Sequence, residues 1–284
     1  MSLNSKQWDI VGHRLPCELL DADLASGHIP HAYLFIGPGG VGKKRIALQF
    51  AARLLGTRQD VLRHPDLEVF NAELTSSIEA VRELLVRIFQ KPVAGAKKVL
   101  VLDGFEMLSA GAVSALLKTL EEPPEGTSLI LITSIKPPKT IISRCQTITF
   151  NRLSTGEVKE YVSSLTPTPS LSLDILQATG GSIGTLQQFI QTPDLAKELA
   201  IQLSWLRVLL SSSPALQLTT LKEVLLLDPQ KLSVLVRRWM YILEHKTADL
   251  TCARLLPLLL QAFQRLQTTQ MNPKFILEQV FITS

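Results

Sequence analysis

Cysteine is scarce in this 284-residue chain: Cys17, Cys145 and Cys252 lie far apart and are odd in number. No C-x-x-C pair exists, which argues against a zinc site built of cysteines and more strongly against a disulfide framework. The five histidines add no metal-ligand spacing. No run reaches the roughly 18 apolar residues that a membrane span needs. The start, MSLNSKQWDIVGHRLP, lacks the basic opening and apolar core of a secretion signal, so a cytoplasmic location and no membrane partner are expected. Dense Lys/Arg runs are missing too. Lys97-Lys98 and Arg237-Arg238 are isolated pairs, read as solvated faces, and the net charge is only +4. That balance is compatible with nucleic-acid contact but does not demand it. Internal repeats and low-complexity tracts are also lacking.

What is present is apolar material, 46% of the residues against 19% charged. The length allows a sizeable core and one to three domains. In the first half, short apolar runs alternate with amphipathic segments. The runs are 33-YLFI-36, 67-LEVF-70, 99-VLVLD-103, 129-LILIT-133 and 147-TITF-150. The first, third and fourth are apolar on both faces, as buried parallel strands are. Between them Ile78, Val81, Leu84, Leu85 and Ile88 form a helical stripe, and Ala112, Leu116, Leu117 and Leu120 form another that 121-EEPPEG-126 ends. Such alternation predicts a parallel sheet sandwiched by helices.

After Phe150 the strand signal stops. Ser154 and Glu157 make an S-x-x-E capping box that opens a short helix. A second short helix is predicted from about Leu171 to Ala178, stopping at Gly180-Gly181, and a third from near Ser182. From about 195 onward the pattern is helical. Leu232, Leu235, Val236, Trp239, Ile242 and Leu243 carry the rhythm of a buried face. The segment 211-SSSPA-215 reads as a loop, and Asn272-Pro273 as another helix start. The leucines of 255-LLPLLL-260 suit core or interface equally.

The stretch 37-GPGGVGKK-44 fits the phosphate-binding pattern G-x-x-x-x-G-K-[ST] except at its last letter. A strand leads in and a helical pattern leads out, so backbone N–H groups at Gly37, Gly39, Gly40 and Gly42 and the helix N-terminus would face an anion. Lys43 would reach the β/γ phosphates. Lys44 stands where a hydroxyl normally ligates magnesium. An ammonium has three donors and no acceptor, so it cannot ligate a cation. Asp103 ends its strand at the place where an NTPase holds the outer shell of its metal, but Gly104 follows where hydrolysing sites carry a glutamate. Two of the points that place metal and water are therefore altered, and catalysis in this site is not expected.

The order of motifs then becomes specific. After the phosphate loop come His64-Pro65-Asp66, Asp103 to Leu108 as D-x-x-x-x-L, 115-ALLKTLEEPP-124, Thr133-Ser134 and Ser143-Arg144-Cys145. This series strongly resembles the clamp-loader family of AAA+ proteins over essentially all of 1–190. The ending 272-NPKFILEQVFI-282 resembles the end of a bacterial clamp-loader collar. The resemblance implies an α/β fold followed by an all-α region: an AAA+ parallel-sheet domain over 1–152, a helical lid over 153–193 and a helical collar over 194–284. The four zinc-binding cysteines of many relatives are missing from 55-LGTRQDVLR-63, so no zinc is expected.

Within that family the chain departs from the motor subunits at Lys44, at Gly104 and at 180-GGSIGTL-186, where Thr185 lies near the place of a nucleotide-sensing arginine. It keeps Arg144. The combination resembles the delta prime branch, whose own ATP site is degenerate and whose arginine serves a neighbour. The resemblance implies a non-hydrolysing subunit of the DNA polymerase III holoenzyme that needs no cofactor of its own, with ATP or ADP binding weak at most. It implies tau/gamma motor and delta subunits as partners, with the sliding clamp and primer-template DNA in the same complex. A guanidinium is always charged and forks onto phosphate oxygens, which suits Arg144 to that role. An ATP-hydrolysing tau/gamma-like motor is the competing expectation.

Overall fold

The structure, a computed structural model, describes residues 8–57, 60–165, 176, 179–211, 213–244, 255–262, 265 and 273–281. By internal contacts the chain divides into two units, 1–157 with 182–184, and 158–181 with 185–284. The first unit is the α/β part and the second is helical, the fold class expected from the sequence. The expected first boundary, after 152, falls a few residues before this division.

All five expected strands form, as β1 Ala32–Ile36, β2 Leu67–Asn71, β3 Lys98–Asp103, β4 Thr127–Thr133 and β5 Gln146–Thr149. Every pairing is parallel and the order is β2-β3-β4-β1-β5. The strands β1, β3 and β4 are buried almost throughout, whereas β2 and β5 are partly exposed at the edges. Side chains alternate across a strand, and this divides the core in two. Tyr33, Phe35, Val99, Val101, Ile130 and Ile132 pack with α1 (Arg14–Ser26) and α2 (Lys43–Leu54). Leu34, Leu100, Leu102, Leu129 and Leu131 pack on the other face with α3 (Ile78–Ile88), α4 (Ala110–Glu121) and α5 (Lys139–Ile142). Three layers result, which is why these runs are apolar at every position.

Local sequence sets the helix ends. The hydroxyl of Ser77 accepts from the Ala80 N–H and that of Ser109 from the Ala112 N–H, capping α3 and α4. The helix α4 stops at Glu121, just before Pro123-Pro124. The capping box closes as expected. Glu157 Oε2 accepts from the Ser154 N–H at 2.8 Å, and Ser154 Oγ accepts from the Glu157 N–H at 3.2 Å, opening α6 (Thr155–Ser164).

The helical unit continues with α7 (Ile183–Gln191), α8 (Pro193–Ser211), α9 (Pro214–Val224), α10 (Pro229–Glu244) and α11 (Pro273–Phe281), and residues 255–262 are helical as well. The stripe Leu232, Leu235, Val236, Trp239, Ile242 and Leu243 is fully buried, with Trp239 donating from its ring N–H to the Gln202 carbonyl at 3.1 Å. Leu255 and Leu259 join this core, while Leu260 faces outward. One expectation needs correction. The loop read at 211–215 is shorter, because α8 runs through Ser211 and α9 begins at Pro214. Proline is tolerated at the first helical position, where its missing N–H would have had no partner. The helix expected over 171–178 lies outside the described residues except for Leu176. Among the described residues, no helix is long and apolar enough to cross a membrane.

Candidate nucleotide site and the arginine edge

The phosphate loop leaves the C-terminal end of β1 and enters α2 at Gly42, whose φ of 108° suits glycine at this turn. Gly37 is required for space: a Cβ there would stand 2.1 Å from the Phe150 carbonyl oxygen. At Gly40 a Cβ would stand 2.2 Å from Ser182 Oγ, and the Gly184 N–H donates to the Gly40 carbonyl at 2.9 Å. Residues 182–184 thus lie directly on the turn of the loop, within the first unit. His13 ties the loop from below. Its Nε2 donates to the Val41 carbonyl at 2.8 Å, and burial pushes its pKa down.

Lys43 is buried, at 6% exposure, and its ammonium is turned onto the loop itself. It donates to the Gly37 carbonyl at 2.5 Å and the Pro38 carbonyl at 2.7 Å. Burial lowers its pKa, while the carboxylates of Glu106 and Asp103 act in the opposite direction. Lys44, one residue on, places its ammonium 3.2 Å from Asp103 Oδ2. This contact bears on the magnesium that a phosphate loop normally implies. The carboxylate that would hold the ion's outer shell already has a tethered cation on it, and the residue at the ligand position offers no lone pair. The residues present do not fit a divalent metal.

Glu106 was not singled out in the sequence, and it belongs to this site. Its Oε1 accepts from the Ser134 N–H at 3.0 Å, and its Oε2 is buried without a hydrogen bond. Burial raises its pKa, but hydrogen bonds from its own backbone and from Ser134 outweigh that and hold it below the usual range. The available signal was its place three residues after Asp103, on the short turn that follows β3. His64-Pro65-Asp66 turns out to be architectural. The carboxylate of Asp66, wholly buried, accepts from the Val93 N–H at 2.6 Å and the Ala94 N–H at 2.8 Å. Burial raises its pKa, yet these two bonds prevail and the net shift is downward.

Gly37, Gly39, Gly40, Gly42, Lys43, Lys44 and Asp103 therefore come together at the C-terminal ends of β1 and β3. Arg144 does not join them. It precedes β5, whose first residue Gln146 lies opposite Tyr33 near the start of β1. β5 neighbours β1 and the strands are parallel, so Arg144 sits at the opposite end of the strands, roughly 15 Å from the phosphate loop at the rise of a strand.

A protein-family profile described as "DNA polymerase III, delta subunit" matches residues 12–154, half of the chain. The chain belongs to the DNA polymerase III delta subunit family. This member of the family is also similar to curated proteins titled as other DNA polymerase III subunits. It is 35% identical over 175 residues to subunit tau/gamma of Haemophilus influenzae, covering 55% of this chain and 25% of that protein. It is 32% identical over 184 residues to subunit tau of Bacillus subtilis, covering 58% and 32%. The chain thus spans a third or less of the length of these two relatives. Among solved structures, a gamma subunit-related protein of Thermotoga maritima superposes with a TM-score of 0.51 at 16% identity, covering 93% of this chain and 97% of that one. That likeness concerns the fold alone.

Proposed function

We propose that this delta-family chain is the delta prime subunit of a bacterial clamp loader. It helps to load the sliding clamp onto primed DNA, does not hydrolyse ATP itself, and lends Arg144 to the nucleotide of an adjacent tau/gamma motor subunit. The observation that carries this reading is the Lys44–Asp103 contact, 3.2 Å between an ammonium and the carboxylate that a hydrolysing site keeps for its metal shell. Phosphoryl transfer depends on placing metal, water and charge stabilisers together, and here the first is displaced by the chain's own cation.

Three further points support it. Gly104 follows Asp103, so the carboxylate that would orient water is missing from its place. Glu106 does not replace it, because one oxygen is bound to the Ser134 N–H and the other is shut off from solvent. Arg144, before β5 at the opposite end of the strands from the loop, is too distant to serve its own loop, which supports a role toward another subunit. A guanidinium supplied in trans to a γ-phosphate is worth roughly 10³ to 10⁵ in rate. In this reading 153–193 is the lid and 194–284 the collar through which subunits join, the delta subunit completes the set of partners, no zinc or other cofactor is required, and the complex works in the cytoplasm.

The second reading, an ATP-hydrolysing motor, is favoured by the 35% identity to a tau/gamma subunit. Steady-state ATP hydrolysis by the purified chain separates the two. The delta prime reading expects no turnover above background. Turnover that Lys43→Ala abolishes would establish the motor reading instead.

A further inference from the structure

We propose that Glu121 is the positioning residue for Arg144, holding its guanidinium in the orientation in which it meets a neighbour's phosphate. The inference rests on the trans role of Arg144 proposed above. Glu121 is the last residue of α4 and the first acid of 120-LEEPP-124, whose prolines end that helix. Its Oε1 accepts from Arg144 Nη2 at 2.6 Å, a short charge-assisted bond. The other terminal nitrogen, Nη1, donates to the Thr140 carbonyl at 2.9 Å and to Ser143 Oγ at 3.3 Å. The two ends of the guanidinium are thus gripped from different directions, and its plane is fixed.

Both grips rest on rigid ground. Leu116 and Leu120 anchor α4 in the core beneath Glu121, and Ile141 anchors α5 beneath Thr140 and Ser143. Pro123 and Pro124 allow α4 to go no further, which sets where the carboxylate stands. The pair nevertheless stays accessible, with the Arg144 side chain 33% and the Glu121 side chain 51% exposed. An arginine side chain carries about 2 kcal/mol of rotamer entropy when free. One already ordered loses less of it when it reaches a phosphate, and a misplacement of about 1 Å at such a site can cost on the order of 10²-fold in rate.

A half-exposed ion pair contributes little to folding, so Glu121→Ala should fold and assemble normally. The test is ATP hydrolysis at the adjoining motor site in the reconstituted complex, with clamp and primed DNA, assembly being checked by gel filtration of the same samples. Glu121→Ala is expected to lower kcat roughly tenfold with KM for ATP unchanged, since the finger acts in the transition state. Glu121→Gln, which keeps an acceptor oxygen, should recover most of the loss. The double variant Glu121→Ala/Arg144→Ala should be no slower than Arg144→Ala alone, because the two residues act as one unit. An unchanged or faster rate for Glu121→Ala, or a deficit that adds to that of Arg144→Ala, overturns the positioning role while leaving the finger intact. An Arg144→Ala complex at the unaltered rate overturns both.

Discussion

Replacing Lys44 by threonine should convert the phosphate loop from one that ignores magnesium into one that responds to it. The lysine lies in the first turn of α2, its side chain 45% exposed and that of Asp103 28% exposed, with 3.2 Å between the charged atoms. Losing a pair this open to solvent costs about 0.2–1 kcal/mol, which lowers the melting midpoint by roughly 0.5–4 °C for a unit of this size. In exchange the threonine hydroxyl supplies an acceptor at the metal position and Asp103 loses its tethered cation. If the variant then binds magnesium and ATP with a dissociation constant on the order of 100 µM, 1 mM ligand stabilises it by about 1.4 kcal/mol, a rise of a few degrees. The assay is thermal unfolding with 1 mM ATP, in magnesium and in EDTA. The wild-type chain should give the same midpoint in both, and Lys44→Thr a higher one in magnesium only. A wild-type midpoint that rises by those degrees with magnesium, or a Lys44→Thr chain that gains nothing from it, refutes the argument that Lys44 displaces the ion.

Asp66→Asn should destabilise the first unit by about 2–4 kcal/mol in urea titrations, because one of the two buried bonds is lost, the other weakens with the charge, and an amide NH2 is left facing a backbone donor. The same residue predicts an acid limb. Its folded pKa lies below the ordinary value of about 3.9, so its contribution is complete above that pH and disappears as pH falls through the lower folded value. The wild-type stability curve should therefore steepen on the acid side relative to that of Asp66→Asn, and parallel curves would remove Asp66 from the account.

The strands were legible because three of them are buried on both faces, and buried parallel strands read as unbroken apolar runs. The helices were legible from stripes such as Val81-Leu84-Leu85-Ile88, whose spacing needs no knowledge of the partner. Contacts between distant segments were not. Nothing in the spacing of 180-GGSIG-184 says that Gly184 bonds to Gly40, or in H-P-D that Asp66 holds Val93 and Ala94. Glu106 was not legible because it stands three residues after Asp103, and Gly104 occupies the place where hydrolysing sites carry a glutamate. Lys44 was readable as a residue that cannot ligate magnesium, but the contact of its ammonium with Asp103 depends on the fold bringing the ends of β1 and β3 together. The short break between α8 and α9 was overestimated because serine and proline suit helix starts as well as loops.

The central claim is that this chain serves chemistry in a neighbouring subunit. It is tested most directly by Arg144→Ala, placed in a complex with motor and delta subunits, clamp and primed DNA and shown to assemble as the wild type does. The account predicts that DNA-stimulated ATP hydrolysis at the adjoining motor site falls by on the order of 10³-fold or more. An intact complex that hydrolyses ATP there at the wild-type rate would contradict it.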